Sequence, residues 1–181
     1  MEMDAVSRAR ERGLVILRVV IGLGFLYAGL EKLLDLSGTG AFSAAGFLAH
    51  ATAGTVPNMV GHDAATMVHN PTHQFWVDLA GNATAVGIIN VLVVSGEIAI
   101  GAALVLGIAT RLAGSLGAVM MFLFWLANWS FANGIINEQF VYGLLAGVVA
   151  YASAGRVFGI DAVLEKTELV KRAPALRLVL G

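Results

Sequence analysis

The stretch LVILRVVIGLGFLYAGLEKLL, Leu14 to Leu34, is interrupted by charge only at Arg18 and at the Glu31–Lys32 pair, and its reading decides the fold. A helix crosses the hydrocarbon of a bilayer in about 20 apolar residues, so this run predicts a transmembrane helix. Arg8, Arg10 and Arg12 precede it. A cleaved signal peptide would show a shorter apolar core and a small-residue cleavage site, and neither is evident. Beyond Lys32, positions 33–110 contain no Lys or Arg. Cations segregated in this way on long apolar segments are the charge pattern of a membrane protein.

Composition agrees. The chain is 58% hydrophobic and 13% charged, with a mean hydropathy of +0.82, which leaves too little polar surface for a soluble fold. Three further spans are predicted, at about 85–107, 112–132 and 137–157. The expected fold is an all-α, four-transmembrane-helix bundle in one domain, with an outer loop over 35–84 and a cytoplasmic tail over 158–181. Arg111 separates the second and third spans, and Arg156, Lys166, Lys171, Arg172 and Arg177 follow the fourth. Both termini are therefore expected to be cytoplasmic. The tail is expected to be solvated.

The outer connection is longer than most loops, which argues that it is structured or functional. Phe42 to Ala53 is apolar and stops at Gly54 and Pro57, a length that suits an interfacial or re-entrant helix. Asn70-Pro71-Thr72 reads as an N-cap opening a second short helix through Phe75, Trp76 and Leu79. Trp76 is expected at headgroup depth.

At 100° per residue, Arg18, Gly22, Phe25, Gly29 and Lys32 fall within about 40° of one line on the first helix. Glycines admit a close neighbour, so this face should turn inward; the alternative is that Arg18 and Lys32 snorkel to opposite interfaces. Glu97 lies near the middle of the second span, where an ionised side chain costs about 2.5–3.5 kcal/mol, so it should be paired or protonated. Asn90, Gly101 and Leu104 share its face. Arg18 and Arg111 have side chains long enough to reach toward it, which predicts a structural or proton-relay cluster of Arg18, Glu97 and Arg111. Trp125 and Trp129 align on the third helix, either as packing anchors or as a platform for a flat ring. Near the outer surface Lys32, Asn128, Trp129, Asn133, Glu138 and Tyr142 are expected to converge on a second polar pocket. Gly143 and Gly147 form a GxxxG that signals close packing.

The chain has no cysteine, which excludes disulfides and zinc-thiolate sites within it. All four histidines, His50, His62, His69 and His73, fall in the outer connection, so no span supplies a haem ligand. No iron–sulfur cluster, flavin or metal is expected, and nucleic acid is not indicated.

The segments LRVVIGLGFLYAGLEKL from Leu17, GEIAIGAALVLGIATRLAG from Gly96 and GRVFGIDA from Gly155 resemble the DoxX superfamily. The outer connection, with AAGFLAH from Ala44, and NWSF from Asn128 are similar to its DoxD branch. That branch resembles the membrane subunit of thiosulfate:quinone oxidoreductase, where thiosulfate is oxidised to tetrathionate and a membrane quinone is reduced beside a smaller DoxA-like subunit. The resemblance implies a prokaryotic plasma-membrane protein with family polar positions at Arg18, Lys32, Glu97, Arg111 and Asp161. Its implied partners are lipid, quinone as substrate, and an accessory subunit or a second copy of the chain. On this reading Lys32, Glu138 and Asn128 are the catalytic candidates, and Trp125, Trp129 and Tyr142 are the quinone-binding ones. The alternative is a non-catalytic membrane anchor or assembly subunit of a redox complex.

Overall fold

In lipid a helix satisfies its own backbone, so apolar runs of this length fold as helices whose ends are set by capping groups. The computed structural model describes residues 2–36, 38, 40–50, 53–55, 67–69, 71–129 and 134–181. The first helix, α1 (Glu2–Leu34), begins twelve residues before the predicted span. At 1.5 Å per residue its 33 residues reach about 50 Å, so its arginine-bearing start projects beyond a hydrocarbon layer of about 30 Å. Two short helices, α2 (Ala44–His50) and α3 (His73–Ala80), lie in the outer connection as expected. Between them β1 (Ala53–Thr55) pairs antiparallel with β2 (Met67–His69), Gly54 opposite Val68, a small addition to an otherwise helical chain. The cap of α3 is Thr72. Asn70, Pro57, His62 and Asp63 lie outside the described residues.

The helix α4 (Ala83–Leu106) starts at Asn82, whose side chain accepts from the N–H of Ala85 at 3.0 Å, and stops at Gly107 in the left-handed region at φ 68°. Next come α5 (Thr110–Asn128) and α6 (Glu138–Tyr151), the latter capped by the side chain of Asn137 accepting from Phe140 N–H at 3.1 Å. Among the described residues three helices, α1, α4 and α5, are long and apolar enough to cross a membrane. The 14 residues of α6 span only about 21 Å, shorter than the expected span over 137–157. Ser153, at φ 51°, turns the chain after Tyr151, and the carbonyls of Ala154, Val157 and Phe158 leave the helical direction to meet Arg18.

The bundle packs as two close pairs. In α1 and α4, which run antiparallel, a methyl on Gly101 would stand 2.7 Å from Leu26 Cα and 2.8 Å from Gly22 O, and one on Gly22 would stand 2.8 Å from Val105 N. These helices touch through their backbones. In α5 and α6 a methyl on Gly114 would come within 2.9 Å of Ala146 O. Of the GxxxG pair, Gly143 packs against Met121, while Gly147 faces open space. Ile21, Phe25, Ile100, Leu104, Ala113, Ala146 and Val149 join the two pairs in one core. Ile16, Val20, Leu23, Val91, Leu92, Val119 and Leu123 stay exposed as the bilayer-facing side. The chain is thus a multi-pass membrane protein in architecture.

The segment after α6 is not the solvated tail expected from its charges. Short turns, α7 (Asp161–Leu164) and α8 (Glu168–Arg172), carry Val170 into the interior, and Leu180 is buried as well. Val179 O accepts from Leu112 N–H at 3.2 Å, which ties this segment to the start of α5.

Gly101→Ala should lower stability by about 1–3 kcal/mol through overpacking. Gly147→Ala should stay within about 0.5 kcal/mol of the parent. Thermal unfolding in detergent, followed by circular dichroism, distinguishes the two.

Candidate functional site

The backbone contact of α1 with α4 fixes their axial stagger, and that stagger sets Lys32 over Glu97. The Lys32 ammonium lies 3.0 Å from both carboxylate oxygens and donates to Oε1 of Glu97; it also donates to Ala28 O at 3.2 Å. Oε2 is as near in the ion pair but takes no hydrogen bond among the described residues. Glu97 is 2% exposed, while the Lys32 side chain keeps 23% of its surface. Charge is therefore neutralised within the apolar bundle, where either group alone would be costly.

A roof from the connection between α1 and α4 covers the pair. The ring of Phe42 sits 5.5 Å from Lys32 Nζ, in cation–π range. The side chain of Asn90 accepts from Ala44 N–H at 2.8 Å, which pins the start of α2 to α4. Ala44, Leu48 and Ala127 form a small core there with Phe47, Trp76 and Ile89. Trp76 is turned into this core, and its indole N–H donates to Thr72 Oγ1 at 2.8 Å. Phe75, 59% exposed, is the outward ring of α3. Asn90 and Phe42 escaped sequence reasoning as members of this site; the one available signal was Asn90 on the face of Glu97.

The expected cluster of Arg18, Glu97 and Arg111 does not form. Arg18, 2% exposed, donates to the carbonyls of Ala154 at 2.8 Å, Val157 at 3.2 Å and Phe158 at 3.3 Å. Its guanidinium lies between Gly107 and Gly159, where a methyl on either would stand 2.7 Å from Nη1. Beside it the fully buried Asp161 accepts from Ala109 N–H at 2.7 Å, Thr110 N–H at 2.9 Å and Gly181 N–H at 3.0 Å. A carboxylate from far along the sequence thus caps α5, whose own N-cap, Ala109, has no suitable side chain and sits at φ 47°. Arg18 and Asp161 make a clasp at the α4–α5 turn. Arg111 is half-buried and apart from both.

The expected outer pocket divides as well. Phe122, Trp125 and Trp129 stack along α5 with centroid spacings of 5.7 and 5.8 Å, and Trp125 donates to Ile135 O at 2.7 Å. Phe140 of α6 leans on Trp125 at 6.2 Å. Asn128 donates to Gln139 at 3.2 Å, and Gln139 donates to Glu138 at 2.9 Å, a polar chain at the same end. Tyr142 lies elsewhere: its ring is near Gly24 of α1, on another side of α6 from Phe140. Asn133 lies outside the described residues.

An apolar helical bundle holding a buried lysine–glutamate pair defines a membrane protein with an intramembrane polar site. Residues 13–129 match the DoxX family, and the chain belongs to that family. The matched segment takes in α1, the outer connection, α4 and α5, and with them every contact of the Lys32–Glu97 pair. No curated protein and no solved structure matches the chain.

Lys32→Met leaves Glu97 buried without its counter-charge and should cost about 3–5 kcal/mol, much of which the double variant Lys32→Met/Glu97→Met should restore. Unfolding midpoints of the two single variants and the double variant test this coupling. Asp161→Asn sets an amide N–H₂ against backbone donors, so the segment after α6 should loosen and trypsin should cut faster at Lys166, Lys171 and Arg172.

Proposed function

We propose that this DoxX chain is the membrane-embedded subunit of a quinone-linked oxidoreductase, crossing the bilayer four times with both termini cytoplasmic. The buried Lys32–Glu97 pair under α2 carries the reading. A quinone is a flat apolar ring with carbonyl oxygens at its edges, and reduction adds two electrons and two protons. Lys32 would donate a hydrogen bond to the oxygen on which negative charge develops, and Glu97 would hold and pass a proton to it. Phe42 and α2 would exclude outside water while the ring enters from lipid. Thiosulfate or a similar sulfur oxyanion fits as electron donor: two thiosulfates joined through sulfur as tetrathionate release the two electrons that the quinone takes up with two protons.

The cation distribution supports the orientation. Arg8, Arg10 and Arg12 start α1, while Arg111, Arg156, Lys166, Lys171, Arg172 and Arg177 gather at the opposite end of α4 from its outer cap. The short α6 would complete a fourth crossing together with the turn at Ala154–Arg156. Glu138, Gln139 and Asn128 would bring protons to the outer end, and the Phe122–Trp125–Trp129 ladder offers a second surface for a ring. Tyr142 would meet a quinone only from the α1 side.

A non-catalytic anchor is the second reading, favoured by the folded segment after α6, which presents a formed surface to a partner. Purified chain in lipid nanodiscs, given a short-chain quinone and thiosulfate, separates the two. Quinone reduction by the chain alone supports the enzyme; reduction only with another polypeptide present supports the anchor. In folded protein, Lys32→Met and Glu97→Gln should each lower turnover about 100-fold. Unchanged turnover in both overturns the site.

A further inference from the structure

Arg111 belongs neither to the ion pair nor to the clasp. Its guanidinium has no hydrogen bond and no ion pair among the described residues. Asp161, the buried carboxylate at this end, gives its oxygens to the N–H groups of Ala109, Thr110 and Gly181. Arg111 instead lies at the mouth of a shallow groove of about 370 Å³ between α5 and α6, lined by Arg111, Ser115, Ala118, Gly147, Ala150 and Tyr151. The groove exists because position 147 has no side chain: the site of a Cβ there has no atom within 4 Å, whereas Gly143, one turn away, is packed against Met121. Tyr151, 91% exposed, stands beside Arg111 at the cytoplasmic rim.

We propose that this groove binds one anionic phospholipid of the cytoplasmic leaflet, its phosphate on Arg111 and one acyl chain along Ser115, Ala118 and Gly147. A half-buried cation at the edge of the hydrocarbon needs a counter-charge, and a guanidinium matches phosphate oxygens through paired N–H groups. The floor of Ala118, Gly147 and Ala150 is apolar and suits a chain, with the Ser115 hydroxyl beside it. Net negative headgroups are preferred because a zwitterionic one neutralises its own phosphate. The Tyr151 hydroxyl is placed to reach the ester region.

Native mass spectrometry of the full chain, released from detergent containing equal phosphatidylglycerol and phosphatidylcholine, tests this. One phosphatidylglycerol should be retained in preference. Arg111→Gln should weaken that retention about tenfold. Gly147→Leu, whose Cβ has no atom within 4 Å, should displace the acyl chain and abolish retention with the unfolding midpoint unchanged, and Arg177→Gln should behave as the parent. Equal retention of phosphatidylcholine, or retention unaffected in both groove variants, overturns the proposal. Because the chain has no cysteine, Gly147→Cys gives a further readout: ready disulfide-linked dimers in membranes would assign the groove to a second copy and overturn it too.

Discussion

The backbone contact between α1 and α4 is the constraint on which the rest depends. Without side chains at Gly22, Gly29 and Gly101 the two helices approach until backbone meets backbone, and only one axial offset lets the three glycines face the partner together. In lipid there is no hydrophobic gain from pressing helix on helix, so close van der Waals contact of this kind has to supply the specificity. That offset sets Lys32 within 3.0 Å of Glu97 and brings Arg18 to the turn after α6. A lateral shift of one turn would separate both.

The two ends of the bundle solve the same problem differently. At the end that holds the α4–α5 turn, Arg18 and Asp161 satisfy backbone carbonyls and N–H groups that irregular turns would otherwise bury unpaired, and left-handed residues at Ala109, Ser153 and Phe158 aim those groups inward. Most of the polar groups here are paired, while Arg18 Nε and Thr110 Oγ1 are buried with no hydrogen bond among the described residues. At the other end, Lys32 keeps part of its surface and lies 3.0 Å from Glu97, under a roof held by the Asn90 side chain. The proposed function rests on this pair because the Lys32 side chain keeps 23% of its surface, whereas Arg18 and Asp161 are both buried.

Much of the bundle was legible in residue order. Helical periodicity turned Arg18, Gly22, Phe25, Gly29 and Lys32 inward, and the structure buries that face against α4. Glu97 was expected to be paired or protonated, and the structure sets it 3.0 Å from Lys32. Its partner was misassigned: Arg18 and Arg111 are long enough to reach it, but reach is not stagger, and Lys32 is the cation that the glycine contact delivers. The fourth helix came out shorter because the chain turns at Ser153, and the carbonyls of Ala154 and Val157 accept from Arg18 where a longer helix would have continued. The charged segment after it reads as solvated only while Val170, Leu180 and the Asp161 cap are considered one at a time.

Sequence alone determined that the chain is a membrane bundle, where its long helices lie, which end gathers the cations and which faces look inward, because length, hydropathy and a 100° repeat are properties of a single helix. Only the tertiary structure decided which inward groups meet. Pairing of residues 65 positions apart, a cap for α5 supplied by Asp161, and an Arg111 left facing a groove all follow from how helices slide and rotate against one another. That is fixed by contacts between segments, and no periodicity within one segment records it.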